Sequence, residues 1–538
     1  MPIILDNFRR IVLKYPTQTA VLHCRSKGKY SKISFAELDR RSDVIAGYLT
    51  DQGIESGNFV GVYMSRSIDH VTSILGIMKA GAAFYSLNPR TTQEQVIYTA
   101  RLSRAPVVLI DDSALLNLQD IYNHKENSFN LTHYSSDVTS LFHEQIIARI
   151  NEKFPLSRLP QVFLPKDNIP IREAIVPRDV ALALFTSGST GTPKGVLISH
   201  QDLYNRTLTE CEYYGITRSD VLLNLLPFSF DVGTNQLFTA LVTGAQLTIL
   251  NSWMPADIVS TVKQHQITGI SGVPAIWASF LNLSDSKESL EAIKSVRYIT
   301  ISGGDLAPEQ LKRLGMLLQG TQIFKTYGQS ETFRSGILLP SEYHLKMLSV
   351  GRPVKGTKIS ILNSKGKLAA PNEMGEIIHY GDGMMLGYIG DARGTARKIR
   401  TNPHQNKRSP YIQKAVFTGD IGKIDEDGYL YVQGRKDKMI KSSGYRIYPK
   451  EISDQILRHT SIQDAVVFGI PDKNIGKAIY AEVQLKENQE LTVSELKTFL
   501  SDKLPPYMIP SKIFFVNSFP RTPSGKIRLA EVERKYHE

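Results

Sequence analysis

The chain has 538 residues, of which 41% are apolar and 22% charged, a balance that excludes a disordered polymer and leaves room for a large core and more than one domain. Its two cysteines, Cys24 and Cys211, are too few and too far apart for a disulfide framework or a four-ligand zinc site, which points to a reducing compartment. The net charge of +12, from 64 Lys and Arg against 52 Asp and Glu, suits an acidic partner of any kind and selects none.

The opening MPIILDNFRRIVLKYPTQ lacks the long apolar run and small-residue cleavage site of a secretory signal, so it reads as a short amphipathic helix and a cytoplasmic location is expected. Val60 to Tyr63 reads as an apolar strand and His70 to Ala80 as a helix stopped by Gly81. That alternation predicts an α/β domain with buried sheets. From Asp111 to about Val176 the pattern weakens into Asn-, Ser-, His- and Lys-rich sequence, expected to be a peripheral, irregular part of the same domain. Strands resume at Val180 to Phe185, Val221 to Leu226, Leu247 to Leu250, Val296 to Ile301 and Ile323 to Thr326. No apolar stretch reaches the roughly 20 residues of a membrane span; Leu237 to Leu250 is interrupted by Thr239, Thr243, Gly244 and Gln246, so no membrane insertion is expected.

Near Gly434-Arg435-Lys436-Asp437-Lys438 a charged, glycine-containing segment follows the strand around Tyr429 to Val432 and reads as a linker. It divides the chain into a large N-terminal domain, 1–436, and a small C-terminal one, 437–538. The latter carries a helix (Pro449 to His459), strands at Ala465 to Gly469 and Ala478 to Leu485, a helix (Val493 to Leu504) and a last strand (Lys512 to Val516), enough for a compact α+β unit.

The segment Leu184-Phe-Thr-Ser-Gly-Ser-Thr-Gly-Thr-Pro-Lys-Gly195 runs from an apolar strand into a loop of small hydroxylated and glycine residues. Such a loop offers backbone N–H groups and hydroxyls to phosphate oxygens, because glycine permits the close approach. Thr186, Ser187, Gly188, Ser189, Thr190, Gly191 and Lys194 are therefore expected to hold a polyphosphate. A kinase-type P-loop is excluded, since Lys194 lies between Pro193 and Gly195 rather than before Ser or Thr.

With this loop come, in order, Met78-Lys-Ala-Gly-Ala-Ala-Phe-Tyr-Ser-Leu-Asn-Pro89, Ser302-Gly-Gly-Asp305, Tyr327-Gly-Gln-Ser-Glu-Thr332, Phe417-Thr-Gly-Asp420, Gly434-Arg-Lys-Asp437, Ser443-Gly-Tyr-Arg-Ile447 and Pro523-Ser-Gly-Lys526. Together they resemble the adenylate-forming superfamily of acyl-CoA synthetases, peptide-synthetase adenylation domains and beetle luciferases, over essentially the whole chain. The resemblance implies that a large α/β domain of several subdomains and a small α+β domain bind ATP and Mg²⁺ and activate a carboxylic acid. It implies that Lys526 reaches the carboxylate and the α-phosphate, that Glu331 holds Mg²⁺ and that Thr190 and its neighbouring amides bind the leaving pyrophosphate. Gly303, Gly304, Asp305 and Tyr327 would frame the adenine, Ser330 stands where the family usually has Thr, and Asp420, with Arg435 nearby, would take the ribose. Asp437 falls at the family's hinge, and Gly444 beside the tunnel through which a phosphopantetheine thiol enters.

Leu226-Pro-Phe-Ser-Phe-Asp231 resembles the version of the fourth motif found in amino-acid-activating relatives, where the aspartate pairs with the substrate ammonium. The carried-over acid pocket is Asp231, Val232, Asn235, Ser271, Thr300, Ser302, Thr326, Arg334 and Ser335. Arg334 suggests a second carboxylate, as in a dicarboxylic or β-amino acid, or else an internal acidic partner. The expected acceptor is the phosphopantetheine thiol of a separate carrier protein, few residues following Lys526; the alternative is free CoA. Arg435, Lys436, Lys438, Lys441, Arg446 and Lys450 would serve as a docking face or simply as a solvated one. A catalytically silent nucleotide-binding regulator is the alternative of another class, and nucleic-acid binding is not expected, because only the net charge favours it.

Overall fold

The structure, a computed structural model, describes residues 2–25, 28–89, 91–117, 130–133, 156–158, 175–187, 193–283, 293–405, 408, 410–442, 445–472, 475–522 and 525–536. Four sheets form among these residues. The first has nine strands, with Gln322–Tyr327, Tyr298–Ile301, Gly269–Gly272, Val221–Asn224, Gln246–Leu250 and Thr19–Cys24 parallel in that spatial order. Antiparallel strands close it on both sides, Gly336–Leu338 and Arg352–Pro353 at one edge and Tyr30–Ser34 at the other. Strands buried on both faces read as continuous apolar runs, which is why Val221–Asn224 is VLLN.

The second sheet has eight strands, centred on Phe59–Tyr63 and Ala83–Leu87; the antiparallel pair Val180–Ser187 and Pro193–Ser199 lies towards one end, where Gly387–Tyr388 forms the edge. Between the two sheets, in one continuous core, lie the helices Ile4–Lys14, Phe35–Asp51, Ile68–Lys79, His200–Tyr214 and Asp231–Thr243. The first sheet is covered on its other face by Pro255–His265, Pro274–Leu283 and Pro308–Leu317. A third sheet is built on Gly375–Gly381 and Lys414–Ile424. The fourth, with its own core, pairs Ile462–Asp472 with Gly476–Leu485 in the small C-terminal domain. The irregular stretch expected after Asp111 contains two short strands, Asn130–His133 and Leu156–Arg158, which extend the second sheet in parallel register. Their shortness and the polar sequence around them hid them. No helix among the described residues is long and apolar enough to cross a membrane, and both cysteines are free.

Four histidines are held neutral by burial. It pushes His70 and His379 down to about 3, and His23 and His200 to about 4. His70 bridges the Ser65 carbonyl and the Ser86 hydroxyl at 3.3 and 3.1 Å, edge-on to Phe228. Since each folded pKa lies below the unfolded one, the stability these groups contribute is complete above about pH 6.5 and is lost as the pH falls towards 3, by about 1 kcal/mol per pH unit for each histidine. Thermal unfolding across pH 7 to 5 should therefore steepen downwards, and His70→Asn should flatten that slope.

Candidate active site

The helix Asp231–Thr243 begins at Asp231, and its first turn is fastened to the preceding loop by the Thr234 hydroxyl donating to the Phe228 carbonyl at 2.6 Å. Gly233 is required there, because a Cβ would lie 2.2 Å from the Pro227 carbonyl oxygen. Asp231 is 6% exposed and accepts from the Val232 N–H. Burial raises its pKa, opposed by the nearby charges of Arg334 and Lys526. A desolvated carboxylate of this kind gains most from a cation placed against it.

Lys526 is brought to the same place from the small domain. Thr522 and Lys526 close a turn, and Gly525, at φ +85°, lies so close to Trp253 and Val273 that a Cβ would stand 2.9 Å from the indole ring. The Lys526 ammonium sits 5.7 Å from the Phe230 ring centroid, and its Cε lies beside Gly303. Gly303, at φ +77°, turns the chain out of the strand Tyr298–Ile301.

A chain of hydrogen bonds links several of the residues expected to line the acid pocket. Ser302 and Thr326 hydroxyls are 2.6 Å apart, and Arg334 donates through Nη1 to Thr326 at 3.1 Å and through Nε to Glu210 at 2.8 Å. Glu210 lies on the helix His200–Tyr214, whose Thr207, one turn earlier, donates to Asn235 at 3.1 Å. Arg334 and Glu210 are both buried. Burial works against the guanidinium charge, but Glu210, Tyr214 and Asp231 together outweigh it and raise the arginine pKa. The second carboxylate sought for Arg334 is thus met inside the protein. Ser335 is engaged with Thr332 and His379, Val232 lies in the apolar core, and Ser271 sits on the strand Gly269–Gly272 in register with Thr300.

Asp420 anchors a second group. Its Oδ2 accepts from the Tyr327 hydroxyl at 2.7 Å and from Gln329 at 2.5 Å, and its Oδ1 from Arg435 at 3.3 Å. The Tyr327 ring is buried against Val350, Ile361, Ile377 and Leu430, so its bond to Asp420, rather than an open stacking face, is its main contact. Arg435, Gln329 and Lys398 all donate to the Thr418 carbonyl. Asp305 is tied to buried Lys325 at 3.0 Å.

Glu331 is half-buried and accepts from the Tyr388 hydroxyl at 2.7 Å through Oε1. Lys194 lies 5.0 Å from the Tyr388 ring centroid and 3.8 Å from Asp391. Among the described residues no group of three His, Cys, Asp or Glu is placed to hold a metal. One carboxylate whose second oxygen has no hydrogen-bond partner among the described residues nevertheless fits Mg²⁺, which usually keeps water and substrate phosphates as most of its ligands.

Gly188, Ser189, Thr190, Gly191, Gly444 and the side chains of Ser187 and Arg446 lie outside the described residues. Thr186 pairs with Lys194 across the hairpin whose connection those loop residues form. Four residues of the basic segment are ion-paired, and Lys441 is exposed. Arg435 pairs with Asp420 and Asp437, Lys436 with Glu376, Lys438 with Glu533 and Lys450 with Asp454. Glu210, Thr207, Gln329, Tyr388 and Lys398 were missed in sequence. Gln329 at least lay within a recognised motif, whereas Glu210 gave no signal, being 124 residues from its partner.

A family profile described as AMP-binding enzyme matches residues 8–389, and the AMP-binding enzyme C-terminal domain matches 451–526. The chain is 27% identical to bacitracin synthase 3 of Bacillus licheniformis over 95% of its own length, and it spans only 7% of that much longer protein. It is also 28% identical to zwittermicin A synthase ZmaJ of Bacillus cereus and 27% identical to a long-chain-fatty-acid–CoA ligase of Bacillus subtilis (strain 168). Both alignments cover 97% of this chain, and 92% and 93% of those proteins. The fold matches ATP-bound MatB from Rhodopseudomonas palustris with a TM-score of 0.82 at 22% identity over 100% of this chain and 99% of that one. It matches the amide bond synthetase McbA from Marinactinospora thermotolerans with a TM-score of 0.83 at 20% identity, over 99% and 100% of the two chains. The chain belongs to the AMP-binding enzyme family.

Proposed function

We propose that this protein uses ATP and Mg²⁺ to adenylate an amino acid, releases pyrophosphate, and passes the acyl group to the phosphopantetheine thiol of a separate carrier protein in the cytoplasm. The observation that carries the reading is the meeting of buried Asp231 with Lys526 beside Phe230 and Gly303. Asp231 takes the substrate ammonium, leaving the substrate carboxylate free to face the nucleotide.

The difficulty of the first step is charge. Two unit anions 4 Å apart repel by about 1 kcal/mol in water and about 4 kcal/mol at a protein-like dielectric. Lys526 offsets this by standing between the attacking carboxylate and the α-phosphate. Asp420, held by Tyr327, Gln329 and Arg435, accepts from the ribose hydroxyls and fixes the nucleotide. The loop from Thr186 to Lys194 holds the leaving phosphates, and Glu331, steadied by Tyr388, is the protein's donor to Mg²⁺. The bound ion supplies positive charge that stabilises the departing pyrophosphate. The small domain, bounded at residue 437, then turns about Asp437 and exchanges Lys526 for the face around Gly444, where the thiol enters.

Free CoA is the second acceptor to test, favoured by the full-length alignment with a CoA ligase. ATP–pyrophosphate exchange with separate pools of neutral amino acids, dicarboxylic amino acids, β-amino acids and unaminated acids tests the reading. Exchange confined to amino pools is expected; exchange only with unaminated acids overturns it.

A further inference from the structure

Glu210 lies outside every motif in the chain, yet it is the residue that decides the charge of the acid pocket. Its carboxylate is bonded to Arg334 Nε at 2.8 Å, both side chains are buried, and Arg334 continues through Thr326 to Ser302. With Arg334 neutralised by Glu210, the charge left for a ligand in this pocket is the negative one of Asp231. The other buried guanidinium nearby, Arg206, is surrounded by Asp202 and Asp382 as well as Glu210 and donates to Thr357 and the Asp382 carbonyl. It leaves no spare cation either.

The same region carries buried polar atoms without hydrogen-bond partners among the described residues: Asn235 Nδ2, Thr300 Oγ1 and the Tyr214 hydroxyl. Asn235 is one turn from Asp231 and is tied by its carbonyl oxygen to Thr207, on the helix that bears Glu210 and Tyr214. Thr300 shares a strand face with Tyr298 and Ser302, and the Tyr298 ring is stacked on Tyr214 at 5.2 Å. Buried donors and acceptors of this kind favour a ligand group that hydrogen-bonds, because leaving them unmet carries a desolvation penalty.

We propose that Glu210 is a specificity-determining residue, which by neutralising Arg334 selects an amino acid whose side chain ends in an uncharged hydrogen-bonding group, a hydroxyl or carboxamide, and rejects a second carboxylate. This rests on the amino-acid reading above. Glu210 acts through Arg334 and is a positioning residue. Replacing its charge frees the guanidinium for a substrate carboxylate, and replacing Arg334 instead leaves Glu210 to favour a substrate cation.

The test is ATP–pyrophosphate exchange by the full chain and by Glu210→Gln, Arg334→Gln and the double variant. The substrates are serine, asparagine, glutamine, aspartate, glutamate, ornithine and lysine, with thermal unfolding as the folding control. The parent should prefer the uncharged side chains to the dicarboxylic ones by about 100-fold, since an unmatched charge in a desolvated site costs several factors of ten. Glu210→Gln should reverse or erase that ratio, Arg334→Gln should raise the diamino acids, and the double variant should keep the uncharged preference. A purely structural pair would lower all rates together. A parent that prefers dicarboxylic acids, or folded single variants with unaltered ratios, overturns the proposal. If the single variants unfold, a double variant that loses the uncharged preference does so. Exchange by the parent with unaminated acids alone would refute the amino-acid reading instead, and succinate against its half-amide would then read the charge of the same pocket.

Discussion

Lys526→Ala should lower ATP–pyrophosphate exchange by about 10³-fold, the loss expected when a preorganised group that stabilises transition-state charge is removed. Thioester formation from a supplied acyl-adenylate should fall far less. The asymmetry follows from where Lys526 sits. It is carried on a turn of the small domain fixed by Thr522 and Gly525 and lodged against Trp253, beside Phe230 and Gly303 of the large one. It serves only the orientation in which that turn is docked. In the proposed cycle the second half-reaction uses the other orientation, from which the ammonium is withdrawn. Single-turnover measurements of the two half-reactions check this; equal losses in both would contradict the two-orientation cycle. Because Lys526 is exposed at the domain boundary, its removal should leave the unfolding temperature nearly unchanged, separating chemistry from stability.

Asp231→Asn should abolish exchange with amino acids, by about 10² to 10³-fold, because an ammonium would be left buried opposite a neutral amide. The same change should raise the unfolding temperature of the unliganded protein. Burial raises the pKa of Asp231 in the folded chain. A carboxyl with a raised folded pKa contributes stability below its unfolded value, near pH 4, and loses it as the pH rises through the folded value. At neutral pH holding this carboxyl in the fold is therefore a cost, which the isosteric amide relieves. Gain of stability together with loss of amino-acid activation is the signature of a binding carboxylate. Calorimetry at pH 7 beside the exchange assay checks both; unchanged exchange would remove the ammonium-pairing role.

Much of the architecture could be read from sequence. Parallel strands buried on both faces leave apolar runs such as Phe59–Tyr63, and the small domain's helices begin at Pro449 and Val493, as expected. Other elements gave little signal. The hairpin Ile440–Ser442 and Tyr445–Ile447 has strands too short for periodicity, and Asn130–His133 too little apolar surface. The helix end expected at His459 comes at Ile456, within the usual fraying of helix termini.

By itself the sequence determined the fold class, the family and the positions of Asp231, Glu331, Asp420 and Lys526, because local spacing, glycines at fixed turns and ordered motifs are properties of the chain read along its length. Only the tertiary structure decided how those residues are charged and held. Lys526 is brought to Phe230 across nearly 300 residues of chain, Asp420 is shared among Tyr327, Gln329 and Arg435, and Arg334 is neutralised by Glu210. A salt bridge between residues 124 apart leaves no periodicity, yet in a desolvated setting one such carboxylate cancels the positive charge of Arg334.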